Sequence, residues 1–354
     1  MSLVFNMVMG IVDIYALVLA AKKKTAGRIL AVFFLTTACA LTLALAINSA
    51  TQGGIFGFLL LAGHFAFMHA PGLLAGLSAQ AWKVCRPLSF AGILLCVLTL
   101  AVAYDGFLVE PNALDVNTHK IVSSKITKPF RIAVVAETHY ENFREQEKKV
   151  WRVVAEHAPD LVVLLGDYIQ TTESNTYRYL TNEVNRFLRE EGFSSPAGAF
   201  AVEGNHEFTS WPRIFDGLAV KTFTQTATAF GTVAGQTIAI TGLSEEDAEN
   251  SQTHVSGTAD FHVVLGHSPN FALGEIEADL LLAAGTHGGQ VQLPFTGPLL
   301  TFAEIPRSWA DGRTTLKTGK VLIVSRGIGI ERGIAPALRF LARPEILLID
   351  VVPA

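Results

Sequence analysis

Residues 1–104 are almost free of charge and consist mainly of four long apolar stretches. Although 16% of the whole chain is charged, this part contains only Asp13 and a few basic residues that separate the stretches. The stretches cover about Leu3–Ala21, Ile29–Ile47, Gly54–Leu77 and Leu88–Tyr104. A helix needs about 20 apolar residues, and roughly 17 at least, to cross the hydrocarbon core of a membrane. The sequence therefore predicts a transmembrane region of four helices in residues 1–104.

The basic residues of this region predict its orientation. Lys22–Arg28 join the first and second stretches and Lys83–Arg86 join the third and fourth, whereas Asn48–Gly53 carry no charge. Loops rich in Lys and Arg remain on the cytoplasmic side of a membrane. We therefore expect a multi-pass protein of the cell inner membrane, whose residues after about 105 face outward, into the periplasm. The lipid bilayer is then one partner, and the net charge of −4 gives no reason to expect nucleic acid as another.

Ionisable side chains also occur inside the apolar stretches. Asp13 lies near the middle of the first stretch and His64 near the middle of the third, with His69 further along. Such side chains are costly in a membrane and are usually paired or line a cavity. We expect Asp13 and His64 to approach each other. The alternative is that each lies near an interface or bonds to backbone carbonyls.

Beyond residue 104 the pattern changes to short apolar runs that alternate with amphipathic stretches. Residues 105–128 read as a linker or a first edge strand, and residues 129–354 as one domain. Helical patterns cover Phe143–His157 and Tyr177–Glu191, and strand patterns dominate later. The later strands are 221–230, 236–243, 260–267, 279–284, 320–327 and 345–352. This order predicts an α/β fold in which two mixed sheets are flanked by helices.

Five short polar strings follow apolar runs of this domain. They are Glu137–His139, Gly166–Asp167, Gly204–Glu207, Gly266–His267 and Thr286–Gln290. Residues at the carboxyl ends of neighbouring strands converge on one crevice in layered α/β folds. Carboxylates, an amide and several imidazoles would meet there, and such a set suits one or two divalent transition metals.

The order and spelling of these strings resemble the calcineurin-like metallophosphoesterases, over roughly Arg131 to Pro353. The family pattern reads Asp-x-His, Gly-Asp, Gly-Asn-His-Asp/Glu, a lone His, and Gly-His-x-His. The resemblance implies a four-layer α-β-β-α sandwich, here preceded by the four-helix transmembrane region. It also implies a membrane-anchored branch that is similar to bacterial phosphodiesterases and UDP-diacylglucosamine pyrophosphohydrolases.

Carried over position by position, the resemblance implies a ligand set for one or two ions of Mn²⁺, Fe²⁺/³⁺ or Zn²⁺. The first ion would be held by Glu137, His139, Asp167 and His287, and the second by Asp167, Asn205 and His267. Asp167 would bridge the two ions. His206 would contact the scissile phosphate or the leaving oxygen, which makes His206 and Asp167 the expected catalytic residues. Glu207 would lie beside His206, or would simply cap a following helix.

Two positions depart from the family pattern. Glu137 stands where the family has Asp, and Gly285 stands where the family has the first His of Gly-His-x-His. Since the second ion would lose a ligand, we expect its affinity to be weaker, and Gly285→His to raise it. Glu141 and Glu203 are alternative donors. Arg326, in the string Ser325–Gly333, would meet a phosphate or form a structural salt bridge.

The expected activity is a membrane-anchored, metal-dependent phosphoesterase. A hydroxide activated by the metal would hydrolyse a phosphomonoester, a phosphodiester or a lipid-linked diphosphate, with a phosphorylated small molecule or lipid as substrate. The substitutions at positions 137 and 285 leave an alternative open. In that alternative the chain is a degenerate family member that binds one metal or none and acts as a membrane sensor or interaction protein.

Overall fold

The computed structural model describes residues 1–22, 25–141, 145–331 and 335–354, with the backbone alone at 145–147. The described chain divides into two compact units. The first comprises Met1–Val109 with the described residues of Glu331–Ala337. The second comprises Glu110–Ile330 and Leu338–Ala354. Lys23 and Lys24 of the first basic loop lie outside the described residues, as do Phe143 and Arg144 at the start of a predicted helix.

The first unit is helical. Its helices are α1 (Ser2–Lys22), α2 (Ala26–Thr51), α3 (Gly54–His64), α4 (Ala70–Ala81) and α5 (Arg86–Tyr104). A π turn at Phe65–His69 joins α3 to α4, so that residues 54–81 form one continuous apolar helix. A second π turn, Asp105–Val109, follows α5. The described residues of this unit therefore include four helices that are long and apolar enough to cross a membrane, as predicted from the four stretches.

The polar side chains of these helices form a linked polar chain of Asp13, His69, Asn6 and His64. The Nδ1 atom of His69 lies 2.7 Å from Oδ2 of Asp13, and its Nε2 atom lies 3.1 Å from Oδ1 of Asn6. The side-chain amide of Asn6 is 3.0 Å from Nδ1 of His64. The prediction that Asp13 approaches His64 is therefore wrong. His69 is the partner of Asp13, and Asn6 lies between His69 and His64.

The second unit is built on two six-stranded sheets. The first sheet has the strand order β1-β16-β2-β3-β4-β5, with β2 to β5 parallel and β16 antiparallel to β2. Its strands are β1 (Asp115–Ser123), β2 (Phe130–Val135), β3 (Leu161–Leu165), β4 (Ala199–Val202), β5 (Val220–Phe223) and β16 (Glu345–Pro353). The edge position of β1 means that residues 105–128 contain an edge strand.

The second sheet has the order β14-β15-β11-β9-β7-β6, and its four central strands are parallel. Its strands are β6 (Ala227–Val233), β7 (Gln236–Gly242), β9 (Phe261–Leu265), β11 (Leu280–Ala283), β14 (Gly312–Thr315) and β15 (Val321–Val324). Two small two-stranded sheets complete the unit: β8 (His254–Val255) with β10 (Glu275–Ile276), and β12 (Gln292–Leu293) with β13 (Gly297–Pro298).

The core follows from strands that are apolar on both faces, as parallel strands covered on both sides must be. In β3, Leu161, Val163 and Leu165 join a cluster between the two sheets. Val162 and Leu164 point the other way and pack with α6 (Glu145–Glu156) and α7 (Ser174–Glu190). The outer face of the second sheet packs on α8 (Glu245–Glu249) and a 3₁₀ helix at Pro269–Leu273. The predicted four-layer α-β-β-α sandwich is confirmed, with a thin fourth layer.

One predicted strand is wrong in its extent. Residues 221–230 were expected to form a single strand, but they divide between β5 and β6, which belong to different sheets. The chain leaves the first sheet after Phe223 and enters the second at Ala227. A continuous strand-like composition cannot reveal this crossing, because both halves have the same local preference for extended structure.

Candidate metal centre

Loops at the carboxyl ends of five parallel strands bring the seven predicted site residues together. Glu137 and His139 follow β2, Asp167 follows β3, and Asn205 and His206 follow β4. His267 follows β9 and His287 follows β11, in the second sheet. The site is therefore shared by the two sheets of one unit, at the edge where the carboxyl ends of these strands meet.

The backbone of this region is strained. Glu137, His139, Asp167 and His287 have φ angles of 53°, 43°, 54° and 49°, in the left-handed region that side chains other than glycine rarely adopt. Residues held in this way cost about 1–3 kcal/mol each and cluster at functional sites. The same four residues carry candidate ligands, so the strain marks the centre independently of their chemistry.

Three of these residues form what we call the first ligand group: Glu137, His139 and His287. The Nε2 atoms of His139 and His287 lie 2.9 Å and 3.1 Å from Oε2 of Glu137. The two Nε2 atoms are 3.2 Å from each other. All three side chains are at least nine-tenths buried. Three electron-rich atoms therefore converge on one point.

The second ligand group consists of Glu137, Asp167 and His267. The Nε2 atom of His267 lies 3.6 Å from Oδ2 of Asp167, and its Nδ1 atom lies 3.6 Å from Oε1 of Glu137. The side-chain oxygen of Asn205 is 3.1 Å from Nε2 of His267. Nδ1 of His267 is also 2.7 Å from the carbonyl oxygen of Leu165, to which its N–H donates. This hydrogen bond orients the ring so that Nε2 faces Asp167 and Asn205.

Charge in the centre is balanced by imidazoles. Within the described part of the chain, no Lys or Arg forms an ion pair with Glu137 or Asp167. Burial alone would raise the pKa of Glu137, but His287, His267 and His139 hold the pKa of Glu137 well below its ordinary value. Burial would likewise lower the pKa of His267, but Asp167 and Glu137 raise it to about 9.

This donor set fits a divalent metal. Two imidazole nitrogens that lie 3.2 Å apart beside one carboxylate oxygen can share a proton or bind one metal ion. Buried carboxylates are found paired or coordinating metals. In each ligand group the three donor atoms lie within 4.8 Å of one another. Nitrogen and oxygen donors of this kind suit Mn²⁺, iron and Zn²⁺.

His206 lies outside the first and second ligand groups. Its ring is 29% exposed, and its Nε2 atom lies 3.9 Å from Oδ2 of Asp167. Its backbone N–H donates to Oδ1 of Asp167 at 3.0 Å, and its ring stands edge-on to that of His139. His206 is therefore fixed beside the centre, with its ring partly exposed to solvent.

Glu207 does not cap a helix; its carboxylate ties two loops together. It accepts hydrogen bonds from the backbone N–H groups of Asp167, Tyr168 and Gly204, at 3.0 Å, 2.6 Å and 2.7 Å. Gly204 must lack a side chain, since a Cβ there would lie 2.2 Å from Oδ1 of Asp167. Glu207 thus positions Asp167 through the backbone.

Arg326 is a structural residue. Its guanidinium lies 3.0 Å from Oε2 of Glu345, a carboxylate that is 2% exposed, and also pairs with Asp115 and Asp311. Of the two readings of Arg326, the structure supports the salt bridge, because the guanidinium is already occupied by three carboxylates.

Sequence reasoning missed how Gly327 and Gly329 hold the first motif. A Cβ at Gly327 would lie 2.3 Å from Cβ of Glu137, and one at Gly329 would lie 2.7 Å from Cβ of His139. The fully buried Arg339 donates to the carbonyl oxygens of Gly327 and Gly329 and so fixes this string. The Gly-x-Gly spacing after β15 could have identified Gly327 and Gly329 from the sequence. No comparable sequence pattern identifies Arg339.

The alternative donors do not join the centre. Glu203 accepts a hydrogen bond from Nε1 of Trp211 at 2.8 Å. Neither Glu203 nor Glu141 belongs to a convergent ligand group of the described residues. The run Gly288–Gln290 forms a tight turn after His287, with positive φ angles at all three positions.

Comparison with known proteins agrees with this geometry. The calcineurin-like phosphoesterase family matches residues 130–293. The uncharacterized metallophosphoesterase YkuE of Bacillus subtilis (strain 168) is 30% identical over 265 residues, which cover 69% of this chain and 87% of that protein. An uncharacterized metallophosphoesterase of Aquifex aeolicus (strain VF5) is 25% identical over 264 residues, or 69% of this chain and 94% of that protein.

Phosphodiesterase YaeI of Escherichia coli (strain K12) is 24% identical over 266 residues, covering 69% of this chain and 90% of that protein. The matches, the fold and the buried donor groups agree on one conclusion. The chain belongs to the calcineurin-like phosphoesterase family, whose members bind divalent metals and hydrolyse phosphoesters.

Proposed function

We propose that the protein is a membrane-anchored phosphoesterase that depends on one or two divalent metal ions. The observation that carries the proposal is the pair of buried ligand groups, which meet at Glu137 and lie next to the partly exposed ring of His206. A structural metal site would be closed on all sides, whereas a catalytic site keeps an open position.

Each site residue has a distinct role in this proposal. Glu137, His139, Asp167 and His287 would hold one ion, and Asp167, Asn205 and His267 the other. When bound, divalent ions at such a site neutralise charge on phosphoryl oxygens and lower the pKa of water. His206 donates a hydrogen bond to the phosphate or a proton to the leaving oxygen. Glu207 keeps Asp167 in place by its backbone hydrogen bonds.

The four apolar helices support a substrate at a membrane surface. A lipid phosphate, a phosphodiester or a lipid-linked diphosphate would be held at the interface, where a membrane-anchored enzyme finds it at high local concentration. One of the similar proteins is named a phosphodiesterase, which supports phosphodiesters among the substrates. The basic loops support an inner-membrane protein whose second unit faces the periplasm.

The proposal is tested with the full chain purified in detergent and stripped of metal. Mn²⁺ should bind tightly, and hydrolysis of a chromogenic phosphodiester should appear only after Mn²⁺ is added back. Asp167→Asn should lose both metal binding and turnover, because it removes the carboxylate proposed to bridge the ions. Asp350→Asn is the control, since Asp350 pairs with Arg131 outside both ligand groups.

The competing reading is a sensor or interaction protein with a degenerate centre. It predicts one bound metal or none and no hydrolysis of phosphomonoesters, phosphodiesters or diphosphates. If metal-loaded wild-type protein leaves all three substrate classes intact while Asp167→Asn changes nothing, the enzymatic proposal is refuted.

A further inference from the structure

Among the described residues, Glu137 is the one that the first and second ligand groups share. Its two carboxylate oxygens face different partners. Oε2 lies 2.9 Å from Nε2 of His139, in the first group, whereas Oε1 lies on the side of His267, 3.6 Å from the Nδ1 atom that donates to Leu165. Nε2 therefore remains the donor atom of His267 in the second group, and it lies 3.6 Å from Oδ2 of Asp167. The side chain is fully buried, so its carboxylate is held between the groups and does not rotate into solvent.

Gly285 makes this position possible. Its backbone N–H donates to Oε1 of Glu137 at 2.6 Å, which fixes the second oxygen of the carboxylate. A Cβ at position 285 would lie 3.6 Å from Nε2 of His267, so a larger side chain there would point into the second ligand group. Gly285 has a φ of 76°, a conformation that glycine adopts without strain.

The two departures from the family pattern, Glu137 and Gly285, are therefore structurally linked. Glu is one methylene longer than Asp, and the added length carries the carboxylate toward the space that a side chain at position 285 would occupy. With glycine there, the carboxylate meets a backbone N–H instead of a side chain. Each residue depends on the other. The carboxylate of a shorter Asp at position 137 would not reach the backbone N–H of Gly285, and a side chain at position 285 would compete with the Glu137 carboxylate for the same space.

Resting on the proposed function, we propose that Glu137 bridges the two metal sites through its two oxygens. It thereby supplies the second site with a carboxylate in place of an imidazole from position 285. The centre would then have two bridging carboxylates, Glu137 and Asp167, and the second site would be complete without a further histidine.

The test counts Mn²⁺ equivalents in metal-stripped full chain, and uses electron paramagnetic resonance to detect coupling between paired ions. Wild type should bind two equivalents and show a coupled signal. Glu137→Asp keeps the charge but shortens the arm, so it should weaken the second equivalent by about 10–100-fold, the range typical of changes around a metal ligand. The coupled signal should disappear while the first equivalent remains.

The double variant Glu137→Asp with Gly285→His tests the exchange directly. This variant should again bind the second equivalent of Mn²⁺ and show the coupled signal, because the imidazole at position 285 replaces the carboxylate oxygen that Glu137→Asp withdraws from the second site. Contrary to the expectation from the family pattern, Gly285→His alone should bring no gain in Mn²⁺ affinity over wild type, since Glu137 already fills the place and position 285 becomes strained. Glu203→Asp is the matched control, because it shortens a carboxylate that bonds to Trp211.

The outcomes separate the two levels of the proposal. A wild-type protein that binds no Mn²⁺ would contradict the proposed function itself. Wild type and Glu137→Asp with the same number of equivalents and the same affinities would overturn the bridging role of Glu137 while leaving a metal-dependent phosphoesterase intact. Failure of the double variant to bind more Mn²⁺ than Glu137→Asp would refute the exchange between positions 137 and 285.

Discussion

His206 and His267 illustrate how one residue type serves two purposes within a few ångströms. The side chain of His267 is 2% exposed, and its ring is oriented by the carbonyl of Leu165, so that Nε2 faces Asp167. The side chain of His206 is 29% exposed, and its backbone N–H donates to Oδ1 of Asp167, so its ring lies at the surface of the centre. Burial and hydrogen bonding thus distinguish the proposed ligand His267 from the proposed catalytic group His206, and each proposed role gives its own prediction.

His206→Ala should leave the number of bound Mn²⁺ ions unchanged and lower kcat by about 10²–10⁴-fold, the usual contribution of a positioned proton donor. The measurement is steady-state turnover of a chromogenic phosphodiester together with metal analysis of the same sample. His157→Ala is the control, because His157 bonds to the carbonyl of Val153 within α6. A loss of bound metal in His206→Ala would make His206 a ligand instead.

His267 predicts the pH dependence of metal binding. Its pKa of about 9 means that, in the metal-free protein at neutral pH, the ring carries a proton on Nε2. A metal must displace that proton, so apparent affinity should rise with pH, up to about tenfold per unit, and level off above pH 9. Calorimetry at pH 7.5 in buffers of different ionisation enthalpy should show the release of about one proton from this ligand. Heats independent of the buffer would contradict it.

At the scale of elements, the π turn at Phe65–His69 decides which polar groups meet in the first unit. A π turn adds a residue to one turn of the helix, which rotates everything after it relative to a regular α-helix. His69 ends this turn and bonds to Asp13. Polar residues inside a membrane pair with one another, and here the irregular turn sets the pairing.

Cysteine crosslinking tests this pairing. In a background without Cys39, Cys85 and Cys96, cysteines at positions 13 and 69 should be joined in membranes by a short thiol reagent. The matched pair at positions 13 and 64 should react far less, since Asn6 stands between His64 and His69. Equal crosslinking of the two pairs would mean that the polar chain is not arranged in this way.

At the scale of the whole molecule, the number of charged residues distinguishes a helical unit that has few of them from an α/β unit that has many. The basic residues at positions 22–28 and 83–86 lie in the α1–α2 and α4–α5 connections or in the adjoining helix ends. Under the positive-inside rule we expect these connections to stay in the cytoplasm and the chain after α5 to emerge on the opposite side. Orientation decides which phosphorylated lipids the centre can reach.

Reporter fusions after Ala354 measure this orientation. An alkaline phosphatase fusion should be active, and a fusion to a fluorescent protein that folds only in the cytoplasm should be dark. Removal of positive charge is the control. Replacing Lys83 and Arg86 by neutral residues should weaken the preference for this membrane orientation. The reverse reporter pattern would place the second unit in the cytoplasm and make a nucleotide-linked lipid precursor an available substrate.

The sequence by itself determined the features that depend on short stretches of chain. Four apolar stretches of sufficient length specify four helices, because length and hydropathy are local properties. Apolar runs such as Leu161–Leu165 specify buried parallel strands, and the polar strings after them specify where a site forms. The order of the strings was enough to indicate the family, and the four-layer fold followed from it.

Tertiary structure decided which atoms meet. His139 and His287 lie 148 positions apart in the chain, yet their Nε2 atoms are 3.2 Å from each other. No local pattern states that Glu137 reaches both ligand groups, that Arg326 is occupied by Glu345, or that residues 221–230 divide between two sheets. These outcomes depend on the packing of distant segments at ångström precision, whereas hydropathy and motif spacing report only on neighbours along the chain.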